Sequence, residues 1–300
     1  MIRIMIRIIL MMLSFNTYAA QTTIIVPFPP GGSVDLVARI VAKITTEHGH
    51  SVVVENKSGA EGIIAYKQFA NLRKRPNILL MGASGPMYYA PLLADNDIGY
   101  STETSFKSII HLGKTYHFIL VHPSTQINNI MQLTKQKDLI FASASASTRF
   151  MLEYMFIKAK MKATIVPYNG AAPAFVAMMS GYVPFGAQST PSSIEHVKSG
   201  KLNAIAITSL KRIPQADSIP TVNETIKDFE VFSSFALLGS IDMPDDIIKQ
   251  YNDIFNVVIK KYKDKFYDFH IETTGGKPEY LENDIKTQML KWTKIKEQLK

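Results

Sequence analysis

Glycine, serine, threonine and proline gather in four short segments of this 300-residue chain. Each segment follows an apolar run of strand character and precedes a run of helical character. The segments are Pro27-Phe28-Pro29-Pro30-Gly31-Gly32-Ser33, Gly82-Ala83-Ser84-Gly85-Pro86, Ser143-Ala144-Ser145-Ala146-Ser147-Thr148 and Tyr168-Asn169-Gly170. In a parallel sheet such loops emerge at the carboxyl ends of the strands, where ligands bind. Glycine lets the backbone approach a ligand closely, and the following helix offers free N–H groups and the positive end of its dipole. That chemistry suits a small anion and requires no Lys or Arg. Taken singly, each loop also reads as ordinary turn chemistry with N-capping by Ser33 or Thr148. The four together point to a small anionic ligand.

Other chemistries are weaker. The chain lacks the Gly-x-x-x-x-Gly-Lys-Ser/Thr of a phosphate loop, and Gly31-Gly32 is not continued into a dinucleotide fingerprint. Gly82-Ala83-Ser84-Gly85 approaches a serine-hydrolase elbow, but Pro86 stands where the second glycine belongs. Ser84 with a distant histidine nevertheless defines the alternative reading, a secreted α/β hydrolase. Seven histidines include no His-Glu-x-x-His, and His48-x-His50 reads as a solvated turn. With no cysteine, disulfides, thiol catalysis and thiolate metal sites are excluded, and no cofactor or metal is expected.

The elements that would position these loops alternate strand with helix. Strands are expected over 23–26, 52–55, 78–81, 139–142, 164–167 and 204–208, and helices over 34–46, 63–72, 149–160 and 173–180. Pro244-Asp245-Asp246 opens a long amphipathic helix, and 282–298 reads as a last helix with Trp292 as its core anchor. Tyr88 and Tyr89 are expected in the core. Thr221-x-x-Glu224 has the form of a capping box. The alternation argues for mostly parallel sheets flanked by helices, and the length for two α/β units.

Residues 1–20 read as a secretory signal: Arg3 and Arg7, an apolar stretch, then small residues at Thr17 and Ala19. Export places the mature protein outside the cytoplasmic membrane. Removing the signal lowers the formal charge from +8 to +6. The excess sits on the last helices, interrupted by carboxylates as on a solvated face, so nucleic acid is not an expected partner.

Val26-Pro27-Phe28-Pro29-Pro30-Gly31-Gly32-Ser33-Val34-Asp35-Leu36-Val37-Ala38-Arg39 closely resembles the opening of the Bug family of periplasmic solute receptors, the extracytoplasmic components of tripartite tricarboxylate transporters. The resemblance continues through Val52-Val53-Val54-Glu55-Asn56-Lys57-Ser58-Gly59-Ala60, Val166-Pro167-Tyr168-Asn169-Gly170-Ala171-Ala172-Pro173-Ala174 and Ile219-Pro220-Thr221-Val222-Asn223-Glu224. It covers essentially the whole mature chain. It implies a two-lobed, type II-like periplasmic binding protein of the α/β class, with two hinge crossings near residues 116–122 and 230–238. Lobe 1 would comprise residues 21–118 and 235–300, and lobe 2 residues 119–234.

The resemblance further implies a monomeric receptor, not an enzyme, that captures a small organic carboxylate and passes it to membrane transporter subunits. Signalling by an orphan receptor is the other outcome of the same fold. Carried onto this chain, the ligand-binding residues are Phe28, Gly31, Gly32, Ser33, Asp35, Ser84, Ser143, Ser147, Thr148, Tyr168, Asn169, Gly170, Ala171 and Gln188. The chain departs from the family pattern at Arg149, which either clamps a second carboxylate or faces solvent. Asp35 either pairs with Arg39 on the helix surface or faces the cleft, where it would favour a ligand bearing an amine.

Overall fold

The computed structural model describes residues 21–94 and 96–298; the expected signal over 1–20 lies outside the described residues. Short β-branched runs form the first strands: β1 (Thr22–Val26), β2 (Val52–Asn56) and β3 (Ile78–Ala83). Helix α1 (Ser33–Glu47) follows β1, and α2 (Ile63–Ala70) follows β2. α1 turns Val37, Ala38, Val41 and Ile44 inward, the spacing of one helical face. β1 pairs in parallel with both β2 and β3, as the β-then-α alternation requires.

The second parallel set is β5 (Leu139–Ser143), β6 (Ala163–Pro167) and β7 (Phe185–Ser189), joined by helices α3 (Ala146–Ala159) and α4 (Ala171–Met179). Helix α5 (Thr190–Lys198) leads into β8 (Asn203–Ile207). The chain closes with β9 (Phe232–Ser240), α6 (Asp245–Lys261), the short β10 (Glu272–Thr273) and α7 (Pro278–Gln298).

Two long antiparallel strands, which the sequence patterns did not disclose, connect the parallel sets. β4 (Phe106–Val121) runs antiparallel to β9, and the strand order is β2-β1-β3-β9-β4-β7-β5-β6. β4 changes partners along its length. Tyr116 is the last residue paired with β9, opposite Phe232; from His117, opposite Ser189, the partners are β7 and β8. Gly82 lets β3 approach β9, since a Cβ there would stand 2.8 Å from the Cβ of Ala236.

Neighbouring residues of a strand face opposite sides of the sheet. His117 therefore looks into the cleft described below, whereas Tyr116 packs edge-on against Phe232 and lines a groove of about 510 Å3 on the other side. Ile213, Pro214 and Gln215 form one wall of this groove, and Lys263, Tyr267 and Ile271 belong to the opposite wall. Gln215 Nε2 donates to the Tyr267 carbonyl across it at 3.5 Å.

The core is shared. One apolar cluster runs from Tyr66, Leu80 and Tyr89 through Phe141, Phe150 and Phe229 to Trp292 on α7. Trp292 is the expected core anchor: its ring lies 5.0 Å from Tyr89 and 5.5 Å from Phe150, edge-on to both. Tyr88 and Tyr89 are buried, as expected. The capping box forms in full, with Thr221 Oγ1 accepting from Glu224 N–H and Glu224 returning the bond to Thr221 N–H. Two expected caps move by residues: the N-cap of α1 is Gly32 rather than Ser33, and that of α3 is Ser145 rather than Thr148, whose backbone N–H donates to the Ser145 hydroxyl.

Candidate functional site

The starts of four helices meet at one cleft. Gly32, Ser145, Gly170 and Ser189 are the N-cap residues of α1, α3, α4 and α5, and all four line it. Ser145 spends its hydroxyl on capping its own helix. Gly32, Gly170 and Ser189 supply no side-chain cap, so first-turn N–H groups of α1 remain available at the cleft, with those of Ala171 and Ala172 ahead of Pro173 in α4 and of Ser192 after Pro191 in α5. Gly170 takes φ +103°, a backbone region L side chains rarely adopt, to open α4 in this position. The cleft holds about 120 Å3, the scale of a small organic molecule.

The lining is polar without being charged. Ser33, Ser84, Ser147, Thr148, Ser192 and Ser233 bring hydroxyls, and Asp, Glu, Lys and Arg are absent from the described lining residues. Ser145 Oγ lies 2.8 Å from Ser147 Oγ and 3.0 Å from Thr148 Oγ1. Ser189 and Ser192 hydroxyls are 3.0 Å apart. Helix N-termini and neutral donors together make a positive potential that needs no cation.

Three buried polar atoms of lining residues have no hydrogen-bond partner among the described residues: His117 Nδ1, Gln188 Nε2 and Ser234 Oγ. Buried polar groups without partners are rare, and four more, His111 Nε2, Ser209 Oγ, Ser240 Oγ and His270 Nδ1, lie outside the lining. His117 Nε2 lies 3.2 Å from Ser233 Oγ. Burial lowers the His117 imidazole to about 4, so it is neutral near pH 7. Unfolding restores an ordinary histidine near 6.5, so the unfolded chain binds the extra proton between those values. Stability is thus expected to be full above about pH 6.5 and to fall as pH drops towards 4, with His117 contributing roughly 3 kcal/mol of the loss. Urea unfolding across this range checks it: His117→Asn should flatten the slope by about one proton.

The structure divides the residues singled out from sequence. Phe28, Gly32, Ser33, Ser84, Ser147, Thr148, Asn169, Gly170, Ala171 and Gln188 line the cleft together. Gly31, Asp35, Ser143, Arg149 and Tyr168 stand outside the lining. Ser143 Oγ donates to the Ser145 carbonyl, and Tyr168 N–H to the Ser143 carbonyl, so both shape loops rather than the cleft surface. Arg149 pairs with Glu153 at 2.8 Å, with its side chain 63% exposed, the solvent-facing alternative rather than the clamp.

Asp35 is a brace for the first loop. Its carboxylate accepts from Gly31 N–H at 3.0 Å, Arg39 Nε at 2.9 Å and Asn56 Nδ2 at 2.8 Å. Burial alone would raise its pKa, but the bonds from Arg39, Asn56 and Gly31 outweigh it and hold the carboxyl below its ordinary value. Neither surface pairing alone nor an amine-binding role describes this arrangement. Asp35→Ala should cost about 2–3 kcal/mol of unfolding free energy, the range for hydrogen bonds to a charged group, and Asp35→Asn less than half of that.

Residues that the sequence did not single out come from the long antiparallel strands: His117 on β4, Ser233, Ser234 and Phe235 on β9, with Ser189 and Ser192 at the start of α5. The one signal for them was the expected chain crossing near 116–122 and 230–238. Ser84 lacks the geometry of a hydrolase nucleophile. Its backbone is ordinary helix (φ −52°, ψ −37°) rather than a strained elbow, and its Oγ accepts the Ser234 N–H at 2.8 Å. The histidine of the cleft is bonded to Ser233 instead.

Comparison with known proteins agrees with this geometry. The sequence profile of the tripartite tricarboxylate transporter family receptor matches residues 37–300. The chain belongs to that family. Among relatives of this receptor family, the UPF0065 protein in the tcbD-tcbE intergenic region of Pseudomonas sp. (strain P51) is 29% identical over 91% of this chain and 84% of its own length. Protein BugT of Bordetella pertussis is 29% identical over 82% of this chain and 79% of its own. The periplasmic binding protein BugD superposes with a TM-score of 0.86 at 27% identity, covering 93% of this chain and 97% of that one. The structure of Rpa4515 from R. palustris with adipate superposes at 0.89 with 24% identity, covering 93% and 97% of the two chains. MatC from Rhodopseudomonas palustris with bound malate does so at 0.84 with 21% identity, over 92% and 98%. The α/β periplasmic-binding-protein fold is thereby established.

Proposed function

We propose that this chain is a periplasmic receptor that captures a small organic carboxylate and delivers it to the membrane subunits of a tripartite transporter. The observation that carries the reading is the meeting of three helix starts without side-chain caps at a hydroxyl-lined cleft free of charged side chains. A carboxylate there receives backbone N–H bonds and the favourable ends of the helix dipoles, at a site where a cation would gain nothing.

In this reading the lobes are residues 21–118 with 235–300, and residues 119–234, hinged where β4 changes partners between Tyr116 and His117 and again along β9. Residues 1–20 act as the export signal, and the receptor works as a monomer that meets its membrane partner transiently. The shape of the cleft supports capture by closure, since Pro29 lies opposite Gly170 and Ser147 opposite Gly85, from different lobes.

A thermal-shift panel on refolded, ligand-stripped mature protein tests it. Adipate and malate head the panel, followed by monocarboxylates, tricarboxylates, aromatic acids and acidic amino acids, with esters as controls. A ligand at about 100 times its Kd adds roughly 2.7 kcal/mol, and at about 2–4 °C per kcal/mol the midpoint rises by several degrees. One or two acids giving that shift, unchanged over hours, support the receptor. Turnover of an ester, or no shift with any acid, overturns it.

A further inference from the structure

We infer that His117 takes up a proton when a dicarboxylate enters the cleft, and that this proton selects acids with a second carboxylate over monocarboxylates. The inference rests on the carboxylate reading above and supplies the chemistry of the ligand's second end.

Helix starts can hold one carboxylate at the mouth of the cleft. A second brings another negative charge into a cleft whose described lining holds no Lys or Arg. A buried anion without a positive partner is costly, and the usual relief is a change of protonation nearby. His117 is the one histidine of the lining, and no other lining residue titrates in the physiological range. Its Nδ1 is buried without a partner among the described residues, and its Nε2 meets Ser233 Oγ, which also lines the cleft.

The surroundings leave the imidazole free to respond to the ligand. β9 presents Ser233 to it, and β7 places Ser189 opposite it in the ladder. Thr208 Oγ1 accepts its backbone N–H at 2.9 Å. None of these groups titrates. Lys114 of its own strand pairs with Glu272 of β10 and lies with Tyr116 on the opposite face. The proton balance is simple. One proton leaves the solvent buffer for the ring lone pair, giving an imidazolium with N–H at both nitrogens. One N–H faces Ser233 Oγ, and the other, on the buried and unpartnered Nδ1, would donate to the ligand oxygen as it enters.

Calorimetric titration of the mature protein in two buffers of different protonation enthalpy tests the inference. Succinate, malate and adipate are compared with butyrate and hexanoate between pH 6 and 8, with the protonation of each free acid's second carboxylate, which sets in towards pH 6, measured and subtracted. Wild type should take up as much as one proton per dicarboxylate towards pH 6 and none with a monocarboxylate. Dicarboxylate affinity should rise as pH falls, approaching tenfold per unit, while monocarboxylate affinity stays flat. His117→Asn should abolish the uptake and lower dicarboxylate affinity at least tenfold. An unchanged far-UV circular-dichroism spectrum and an unchanged unfolding midpoint at pH 8 show that the variant folds.

Dicarboxylate binding by wild type with no buffer-dependent heat overturns the inference and leaves the receptor reading standing. So does uptake that persists in His117→Asn, or tighter binding of monocarboxylates. If no acid binds at all, the receptor reading itself falls.

Discussion

Gly32→Asp should leave the fold intact and abolish carboxylate binding. Gly32 is the N-cap of α1 with extended backbone (φ −83°, ψ 168°), and a Cβ placed there meets nothing within 4 Å. Aspartate is a favoured N-cap and improves on glycine by a few tenths of a kcal/mol, with about 0.3–1 kcal/mol more from the helix dipole. The same carboxylate occupies the N–H groups meant for the ligand and repels it, by about 4 kcal/mol for charges roughly 4 Å apart at an effective dielectric near 20. The expected outcome is an unfolding midpoint equal to or above wild type, with affinity reduced at least about 100-fold. Gly32→Ser, neutral and equally able to cap, separates charge from size and should lose far less. Wild-type affinity in Gly32→Asp would mean that the ligand is held elsewhere in the cleft.

Trp292→Ala should produce the largest loss of stability, about 3–5 kcal/mol in urea unfolding, the range for truncating a buried tryptophan. Trp292 is 1% exposed and sits against Tyr89, Phe150 and Tyr154. Tyr154 in turn stacks on Phe229 at 5.2 Å. Set against a typical total of about 5–15 kcal/mol, this is a large fraction for one side chain. The reason lies in what the indole joins: α7 arrives from the end of the chain and Phe150 belongs to α3. A loss below about 1 kcal/mol would mean that α7 packs as an accessory and not as part of the core.

The parallel strands and their helices were legible because covering helices leave them nearly uniform apolar runs, while α1 and α6 carry an apolar stripe. The cleft loops were legible because glycine, serine and proline have few uses between a strand and a helix. β4 and β9 were not. Their sequences mix Ser, His, Lys and Thr into apolar residues, since one face meets the core and part of the other meets the cleft. Ser233-Ser234 in particular reads locally as a turn, and only its pairing with Thr115 and Lys114 makes it strand. Local rules fail most where residues are kept for a site. Asp35 illustrates a second limit: its spacing to Arg39 is visible in the sequence, but its bond to Asn56 depends on how β2 lies against α1.

The groove behind β4 makes this chain a natural starting point for an optical sensor. Its walls carry Gln215 and Tyr267, joined by a hydrogen bond at the limit of its range, and Tyr267 is 46% exposed. The cleft opens on the other face of the same strand, so a dye attached at Tyr267→Cys would not compete with a ligand for space. Because the chain has no cysteine of its own, that thiol would be the unique attachment point. Any rearrangement of the strand on which the cleft is built would change the environment of the dye, and the receptor would report its own occupancy as light.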